Sequence, residues 1–309
     1  MELTLNGLYV PLITPFTADG YLARGALEDL AHSALDAGAA GLVALGTTGE
    51  PTALTSAERH TVLDTVSRVC RERGATLIAG AGSNDTAGSA RALRELADWP
   101  DVAGALTVVP YYTRPSQEGI VAHFTHLAAD SAGQHRPVPL IVYNIPYRTG
   151  VSLSWRTLRA LAEIPGVIGM KHAVGGIDAD TVRFMADVPE GFAVLGGDDA
   201  FVSPLLALGA AGGILAASHL RTADFATLIA AWHAGDVSRA RALGNSLAPL
   251  AAAVFAEPNP TVIKGVLHAQ GRIPSPAVRL PLLPASGESV RAALDLLAEP
   301  PAELTLSQT

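Results

Sequence analysis

The chain contains only two lysines, Lys171 and Lys264, against nineteen arginines, and Lys171 directly follows the apolar run at residues 167–170. Arginine stays protonated at neutral pH, whereas burial lowers the pKa of a lysine and frees its amine. A free amine at the end of a buried strand can form a Schiff base with a ketone. The alternative is an ordinary snorkelling or ion-paired lysine. The elements that surround Lys171 distinguish a reactive amine from an ordinary one.

Short apolar strand candidates alternate with longer amphipathic helix candidates along the chain. The predicted strands lie at residues 8–13, 41–45, 76–80, 103–109, 140–143, 167–171, 192–195 and 213–216. Most are continuously apolar, which is typical of a sheet that is covered on both faces. Eight strand–helix units predict an α/β fold of the (β/α)8 TIM-barrel type. A doubly wound open sheet is disfavoured because no G-x-G-x-x-G follows the first strand.

Helices alone are predicted after the eighth strand. The segment 223–233 closes the barrel, whereas the segments 237–255, 260–270 and 288–297 form an all-helical extension. We therefore predict a barrel over residues 1–234, with its catalytic site at the C-terminal strand ends, and a helical C-terminal extension over residues 235–309.

The second predicted strand runs into Gly46-Thr47-Thr48-Gly49, and TIM barrels form their active sites at such strand ends. The backbone N–H groups and the two hydroxyls of this segment suit a small carboxylate. A plain glycine turn, with the hydroxyls bonded to their own backbone, is the alternative.

Further polar candidates follow the fourth, fifth and seventh strands. Tyr112 and Tyr143 are either core aromatics with one polar end or proton shuttles beside a reacting amine. Arg148 is either a surface charge or a fork for a substrate carboxylate. Asp198 and Asp199 are interpreted as caps of the following helix.

Composition excludes several classes of protein. The net charge of −8 argues against nucleic acid and anionic membrane as partners, since both need a basic face. A single cysteine, Cys70, rules out an intrachain disulfide, and with no signal-peptide pattern it predicts a cytoplasmic protein. The nine histidines are scattered; even His123 and His126, at helical spacing, lack a partner set, so we predict no metal site.

Two segments are specific in combination: Gly46-Thr47-Thr48-Gly49-Glu50, and Tyr143-Asn144-x-Pro146 with Lys171 downstream. Through them the chain resembles the dihydrodipicolinate synthase / N-acetylneuraminate lyase family, from residue 7 to about residue 297. The segments at residues 110–119, 148–150 and 257–260, followed by Lys264, are similar to the synthase branch of that family. In that branch the second lysine is structural, so no chemistry is assigned to Lys264.

The resemblance implies a class I, pyruvate-dependent aldolase. Lys171 would form an imine with pyruvate, and the resulting enamine would attack the aldehyde of L-aspartate 4-semialdehyde. Ring closure would give 4-hydroxy-tetrahydrodipicolinate, an intermediate of lysine and diaminopimelate biosynthesis. No metal or organic cofactor would be needed, because the imine is the electron sink. The family is typically a homotetramer, a pair of tight dimers.

The resemblance also implies roles for individual residues. Tyr143 would donate and accept protons, and Thr47 would link it to Tyr112 of a neighbouring subunit. Thr48, in the cradle that begins at Gly46, would hold the pyruvate carboxylate. Arg148 would hold the carboxylate of the semialdehyde, and Ile214 would offer a backbone carbonyl.

Two departures from the family pattern leave the second substrate open. His172 stands where family members usually carry an acidic residue, and residues 212–219 lack the usual serine and asparagine. The alternatives are a lyase or dehydratase acting on a 2-keto-3-deoxy sugar acid and, from another class, a non-catalytic metabolite-binding barrel. Arg148 argues against a sugar acid, because a polyhydroxylated tail needs both donors and acceptors. Arg59 and Gly88 replace the histidine and glutamate of lysine-inhibited members, which predicts weak or absent feedback by lysine.

Overall fold

The computed structural model describes residues 4–299, and its eight parallel strands close into one barrel in sequence order, with β1 paired to β8. The strands are β1 Gly7–Pro11, β2 Gly41–Ala44, β3 Thr76–Gly80, β4 Val102–Val108, β5 Leu140–Asn144, β6 Val167–His172, β7 Ala193–Gly196 and β8 Gly212–Ile214. The predicted TIM barrel is confirmed. Each predicted strand is present, with ends that differ by at most two residues.

Helices surround the barrel and continue beyond it. The barrel helices are α1 Arg24–Asp36, α2 Ser56–Arg73, α3 Thr86–Ala97, α4 Gln117–Ala132, α5 Pro146–Thr149, α6 Trp155–Ala162, α7 Ala179–Met185, α8 Val202–Ala207 and α9 Thr222–His233. Those that follow are α10 Val237–Val254, α11 Thr261–Ala269 and α12 Gly287–Ala298. The helix α2 begins with the capping box that its sequence predicts, since Thr55 and Glu58 bond reciprocally. The short helices α5 and α8 are too brief to show a helical period.

The strand sequences are apolar on both faces because the two faces meet different apolar layers. One set of side chains packs against the surrounding helices, and the other set fills the barrel interior. The interior set comprises Leu5, Tyr9, Val43, Ile78, Leu106, Ile141, Tyr143, Ile145, Ala173, Ala193, Leu195 and Ile214. Successive residues of a strand alternate between the two layers, so the direction of each polar side chain follows from its register.

The helical extension packs back onto the barrel. The helix α10 lies against α8 and α9, and α12 packs on α10 and α11. The division of the chain between residues 234 and 235 stays a prediction. The segment between α10 and α12 belongs to the extension but also contacts the barrel mouth, as described below. No helix among residues 4–299 combines the length and the hydropathy needed to cross a membrane.

Candidate active site

Lys171 lies at the end of β6, in register with Tyr143 on β5 and with Leu195 on β7. Its Nζ lies 4.5 Å from the centroid of the Tyr143 ring, and the side chain is 7% exposed. Burial lowers the pKa of Lys171 to about 8, although Asp199 and Tyr147 oppose that shift. No carboxylate of the described residues forms an ion pair with it, in contrast to Lys264. Lys171 is therefore a buried amine that forms no ion pair in the described part of the chain, and not a snorkelling lysine.

Gly197 makes room for this amine. A Cβ atom at residue 197 would lie 2.8 Å from Cε and 2.9 Å from Cγ of Lys171. The backbone of Gly197 is held in place, because its N–H donates to the carbonyl of His172 at 2.8 Å. The glycine was not among the predicted site residues. Its signal in the sequence is the Gly196-Gly197 pair at the end of β7.

Tyr143 presents its phenol from inside the barrel and is 6% exposed. Burial raises the pKa of Tyr143, and the nearby Arg148 guanidinium and Thr47 hydroxyl offset only part of that rise. The phenol is therefore protonated at neutral pH. Such a group beside an amine can donate a proton to a reacting oxygen and take it back.

The segment after β2 forms a tight turn. Residues 47–49 make a single 3-10 turn after Gly46, in which Gly49 N–H donates to the Gly46 carbonyl at 2.9 Å. The N–H groups that open such a turn have no partner within it and can bind an anion. Thr48 is 3% exposed, and its Oγ1 accepts a hydrogen bond from Asn259 Nδ2 at 2.9 Å. The arrangement suits a small carboxylate.

A cavity of about 450 Å³ opens over these strand ends. Gly46, Thr47, Tyr143 and Arg148, four of the predicted site residues, line it. The extension supplies another part of the wall, at residues 258–259 and 279–282. Lys171 and Thr48 are not wall residues. The amine of Lys171 lies over the ring of Tyr143, and Thr48 bonds to Asn259, and both of these partners line the cavity.

Two predicted site residues lie elsewhere. Tyr112 is 87% exposed, has a left-handed backbone with φ of 70°, and does not line the cavity, whereas Tyr111 does. A role for Tyr112 in the relay therefore requires another subunit and stays a prediction. The side chain of Ile214 is buried in the barrel interior, and the role of its carbonyl stays a prediction as well.

The interpretation of Asp198 and Asp199 as helix caps is wrong. Asp198 Oδ2 accepts from Gly175 N–H, and Asp199 Oδ1 accepts from Ala217 N–H, each at 2.5 Å. The chain first makes a 3-10 turn at residues 199–201, and α8 begins only at Val202. Both carboxylates therefore tie loops of the barrel mouth together. Burial raises the pKa of Asp199 to about 7, although its bond to Ala217 and the nearby Lys171 favour the charged form.

His172 does not face the cavity. Its Nε2 lies 2.8 Å from Thr181 Oγ1, and its Nδ1 lies 3.4 Å from Asn144 Nδ2. Because residues alternate along β6, the side chain after Lys171 points outward towards the helix layer. Burial lowers the pKa of His172 to about 4, so the ring is neutral at pH 7. The unusual residue at this position thus leaves the wall of the cavity unchanged.

Two polar residues at the end of the eighth-strand segment, Ser218 and His219, bond to the backbone of the barrel. His219 Nε2 accepts from Ile13 N–H at 3.1 Å, while Nδ1 lies 2.8 Å from the Ala216 carbonyl. Ser218 Oγ donates to the Leu215 carbonyl at 2.5 Å. These contacts hold the end of β8 against β1 and add no side chain to the cavity. Within residues 4–299 no group of three or more His, Cys, Asp or Glu side chains is placed to hold a metal ion.

Lys264 has the structural role that was expected of it. It is fully buried, pairs with Glu50, and places its Nζ 4.2 Å from the centroid of the Phe16 ring. Glu50 also accepts from Arg279 N–H at 2.8 Å. This group joins the extension to the segment that follows β2.

The fold and the site define a class: a (β/α)8 barrel with a buried lysine amine that forms no ion pair within residues 4–299, a protonated tyrosine beside it, and the turn after Gly46 at the same cavity. A model of the Dihydrodipicolinate synthetase family matches residues 4–299. The chain belongs to that family.

The chain is 41% identical over 279 residues to a 4-hydroxy-tetrahydrodipicolinate synthase of Syntrophus aciditrophicus, covering 90% of this chain and 92% of that protein. Among solved structures it is similar to the chloride-inhibited dihydrodipicolinate synthase from Acinetobacter baumannii complexed with pyruvate. That likeness has a TM-score of 0.88 and 34% identity, and covers 95% and 99% of the two chains. The DHDPS from Cyanidioschyzon merolae with lysine bound gives a TM-score of 0.88 and 31% identity, and covers 94% and 97%.

Proposed function

We propose that the protein is a class I aldolase that condenses pyruvate with L-aspartate 4-semialdehyde to give 4-hydroxy-tetrahydrodipicolinate. The observation that carries the proposal is the buried amine of Lys171, which lies 4.5 Å from the centroid of the Tyr143 ring and, unlike Lys264, forms no ion pair among the described residues. Burial also lowers its pKa to about 8. At pH 7 this raises the free-amine fraction about 300-fold over a lysine with its ordinary pKa of 10.5. The names of the relatives support the same reaction.

The first half of the reaction uses the amine as nucleophile. Lys171 Nζ attacks C2 of pyruvate, and loss of water from the carbinolamine leaves a protonated imine. Tyr143 gives a proton to the departing oxygen and accepts one later, since its phenol is protonated at the start. Thr48 and the N–H groups of the turn that follows Gly46 hold the pyruvate carboxylate. The Tyr143 oxygen then takes a proton from C3, which gives the enamine and restores the phenol.

In the second half the enamine carbon attacks the aldehyde carbon of the semialdehyde, and the aldehyde oxygen takes up a proton. The amino group of the bound semialdehyde then attacks the imine carbon, which closes the ring and releases Lys171 as a free amine. We assign Arg148, at the cavity wall, to the carboxylate of the semialdehyde. Thr47, also at the wall, connects Tyr143 to Tyr112 of a neighbouring subunit, and Ile214 offers its carbonyl to the site.

This proposal needs no metal or organic cofactor, because the imine itself accepts the electrons. It includes a homotetramer built as a pair of dimers, since Tyr112 is exposed in the single chain and the relay requires a partner. It also includes a cytoplasmic location and weak or absent inhibition by lysine. Burial raises the pKa of the single cysteine, Cys70, to about 12, so this thiol is unreactive.

Borohydride reduction in the presence of pyruvate tests the proposal. We expect the intact mass to increase by one reduced pyruvate adduct, and peptide mapping to locate the adduct at Lys171. No adduct, or an adduct at Lys264, would overturn the mechanism. The Lys171→Arg variant, which keeps the charge but has no nucleophilic amine, is the matched control and should remain unmodified.

Competition between aldehydes tests the second substrate. We expect aspartate semialdehyde to be preferred over sugar-derived aldehydes, because the cavity offers the Arg148 cation where a polyhydroxylated tail would need paired donors and acceptors. A sugar-derived aldehyde with the higher kcat/KM would instead identify the lyase branch while leaving the imine intact.

A further inference from the structure

We propose that Asn259, in the helical extension, is a positioning residue of the carboxylate site: it sets the Thr48 hydroxyl as a hydrogen-bond donor towards the substrate. This inference rests on the proposed function, in which Thr48 holds the pyruvate carboxylate. The extension would then complete the substrate site rather than only cover the barrel.

The contact between the two side chains determines which way the Thr48 hydroxyl can donate its proton. Asn259 is 9% exposed, lines the cavity, and donates from Nδ2 to Thr48 Oγ1 at 2.9 Å. A hydroxyl has a single proton, and while its oxygen accepts from an amide that proton remains free to be donated elsewhere. A carboxylate in the cradle is an acceptor only, so it needs the hydroxyl in this orientation.

The amide itself is not satisfied by the protein. Asn259 Oδ1 is buried and has no hydrogen-bond partner among the described residues. A buried amide oxygen without a partner is costly, so a purely structural asparagine at this place is poorly explained. The bond from Nδ2 to Thr48 gives this amide a function that packing alone does not supply.

The extension holds the same segment at a second point. Leu45 and Glu50, on either side of the turn, have left-handed backbones with φ of 56° and 52°. Residues other than glycine keep such a backbone only when the surrounding structure enforces it. Lys264 and the N–H of Arg279 both bind the Glu50 carboxylate. The extension therefore fixes the backbone of the turn through Glu50, and the hydroxyl of the turn through Asn259.

The full-length Asn259→Asp variant tests the inference with almost no change in shape. A carboxylate at residue 259 would accept a hydrogen bond from the Thr48 hydroxyl, which turns that hydroxyl away from the substrate, and would place a negative charge beside the substrate carboxylate. We expect the KM for pyruvate to rise about tenfold or more, as loss of a hydrogen bond to a charged group does. The KM for the aldehyde, and the adduct yield at saturating pyruvate, should change little. Asn245→Asp, an exposed change in α10 of the same extension, is the matched control and should behave as the native chain.

A double-mutant cycle shows whether Asn259 acts through Thr48. Thr48→Val removes the hydroxyl at constant shape, and Asn259→Ser then adds a second change without adding charge. If the asparagine only orients the hydroxyl, Asn259→Ser should raise the KM for pyruvate in the native background and have no further effect in Thr48→Val. If Asn259→Asp lowers the thermal midpoint strongly, the serine variant in this cycle still decides the question.

These experiments distinguish a failure of the proposed function from a failure of the role assigned to Asn259. Absence of a pyruvate adduct in the native chain overturns the proposed function, and with it the substrate of this site. A normal native adduct together with a native KM for pyruvate in Asn259→Asp overturns only the role of Asn259. Additive effects of the Thr48 and Asn259 changes also overturn it, because they would mean that the two side chains act separately.

Discussion

Replacement of Gly197 by alanine should displace the amine of Lys171 without removing any group that takes part in the reaction. The new Cβ would lie 2.8–2.9 Å from Cε and Cγ of Lys171, and 2.9 Å from Cβ of Ala173. Real Cβ atoms essentially never come that close to another heavy atom, so something must move. The backbone at residue 173 is held by a 2.9 Å bond from its N–H to the Asn144 carbonyl. The side chain of Lys171 is therefore the part that yields.

The size of the effect follows from that displacement. Relieving the two close contacts moves Cγ and Cε by several tenths of an ångström, and the amine at the end of the side chain moves further, by about 1 Å. A misplacement of that size costs roughly 100-fold in rate. Overpacking of a rigid interior costs about 1–3 kcal/mol of the free energy of unfolding. The variant should therefore still fold while imine formation falls about 100-fold.

Rapid-quench borohydride trapping with pyruvate measures the rate of imine formation, and thermal unfolding measures stability. Gly176→Ala is the control: residue 176 lies in the loop after β6 with nothing within 4 Å of the added Cβ. We expect the control to match the native chain in both assays. Trapping by Gly197→Ala at the native rate, with the thermal midpoint also unchanged, would show that Lys171 is not packed against residue 197 and would refute the reasoning.

Four further outcomes are expected. The trapping rate should rise with pH and level off above about pH 8, because the free amine of Lys171 forms as its pKa is passed; a plateau only above pH 10 would contradict the lowered pKa. Arg148→Ala should reduce kcat/KM for the semialdehyde by about 10-fold or more while leaving pyruvate trapping intact, and equal losses in both assays would argue against the assignment. Glu50→Gln should lower the free energy of unfolding, measured by denaturant titration, by about 3–5 kcal/mol, because it leaves Lys264 as a buried charge without its partner. Adding Lys264→Met should recover part of the loss. Because folding lowers the pKa of His172 to about 4, the unfolded chain binds an extra proton between pH 6.5 and 4, and the folded state loses stability as the pH falls through that range. His172→Gln should therefore make the stability curve less steep there, while His123 and His219, whose pKa values are also about 4, keep the rest of the slope.

Much of the barrel was predictable because its strands are short apolar segments of regular spacing. The pattern along β6 also drew attention to Lys171, since a lysine at the end of an apolar strand is conspicuous in a chain with only two lysines. Gly46, Thr47, Tyr143 and Arg148 converge on one cavity, as expected of residues at the C-terminal strand ends.

Other features depended on contacts between segments distant in sequence, which spacing alone does not reveal. The partners of Asp198 and Asp199 are backbone N–H groups at residues 175 and 217, so local capping rules gave the wrong interpretation. Asn259 binds Thr48 across 211 residues, and no periodicity links the two. The role proposed for Tyr112 requires a second chain, which one sequence does not describe.

His172 departs from the family pattern in sequence, but the direction of its side chain on β6 keeps that change away from the cavity. His172 was a reason to leave the second substrate open, because family members usually carry an acid there. Its ring bonds to Thr181 in the outer layer, whereas Lys171, one residue earlier, meets Tyr143 inside the barrel. Replacing a charged acid by a neutral ring at that place changes the packing between β6 and α7, not the surface that a substrate meets. The preference for the aldehyde therefore has to be sought at the cavity wall, with Arg148 on the barrel side and residues 279–282 on the side of the extension.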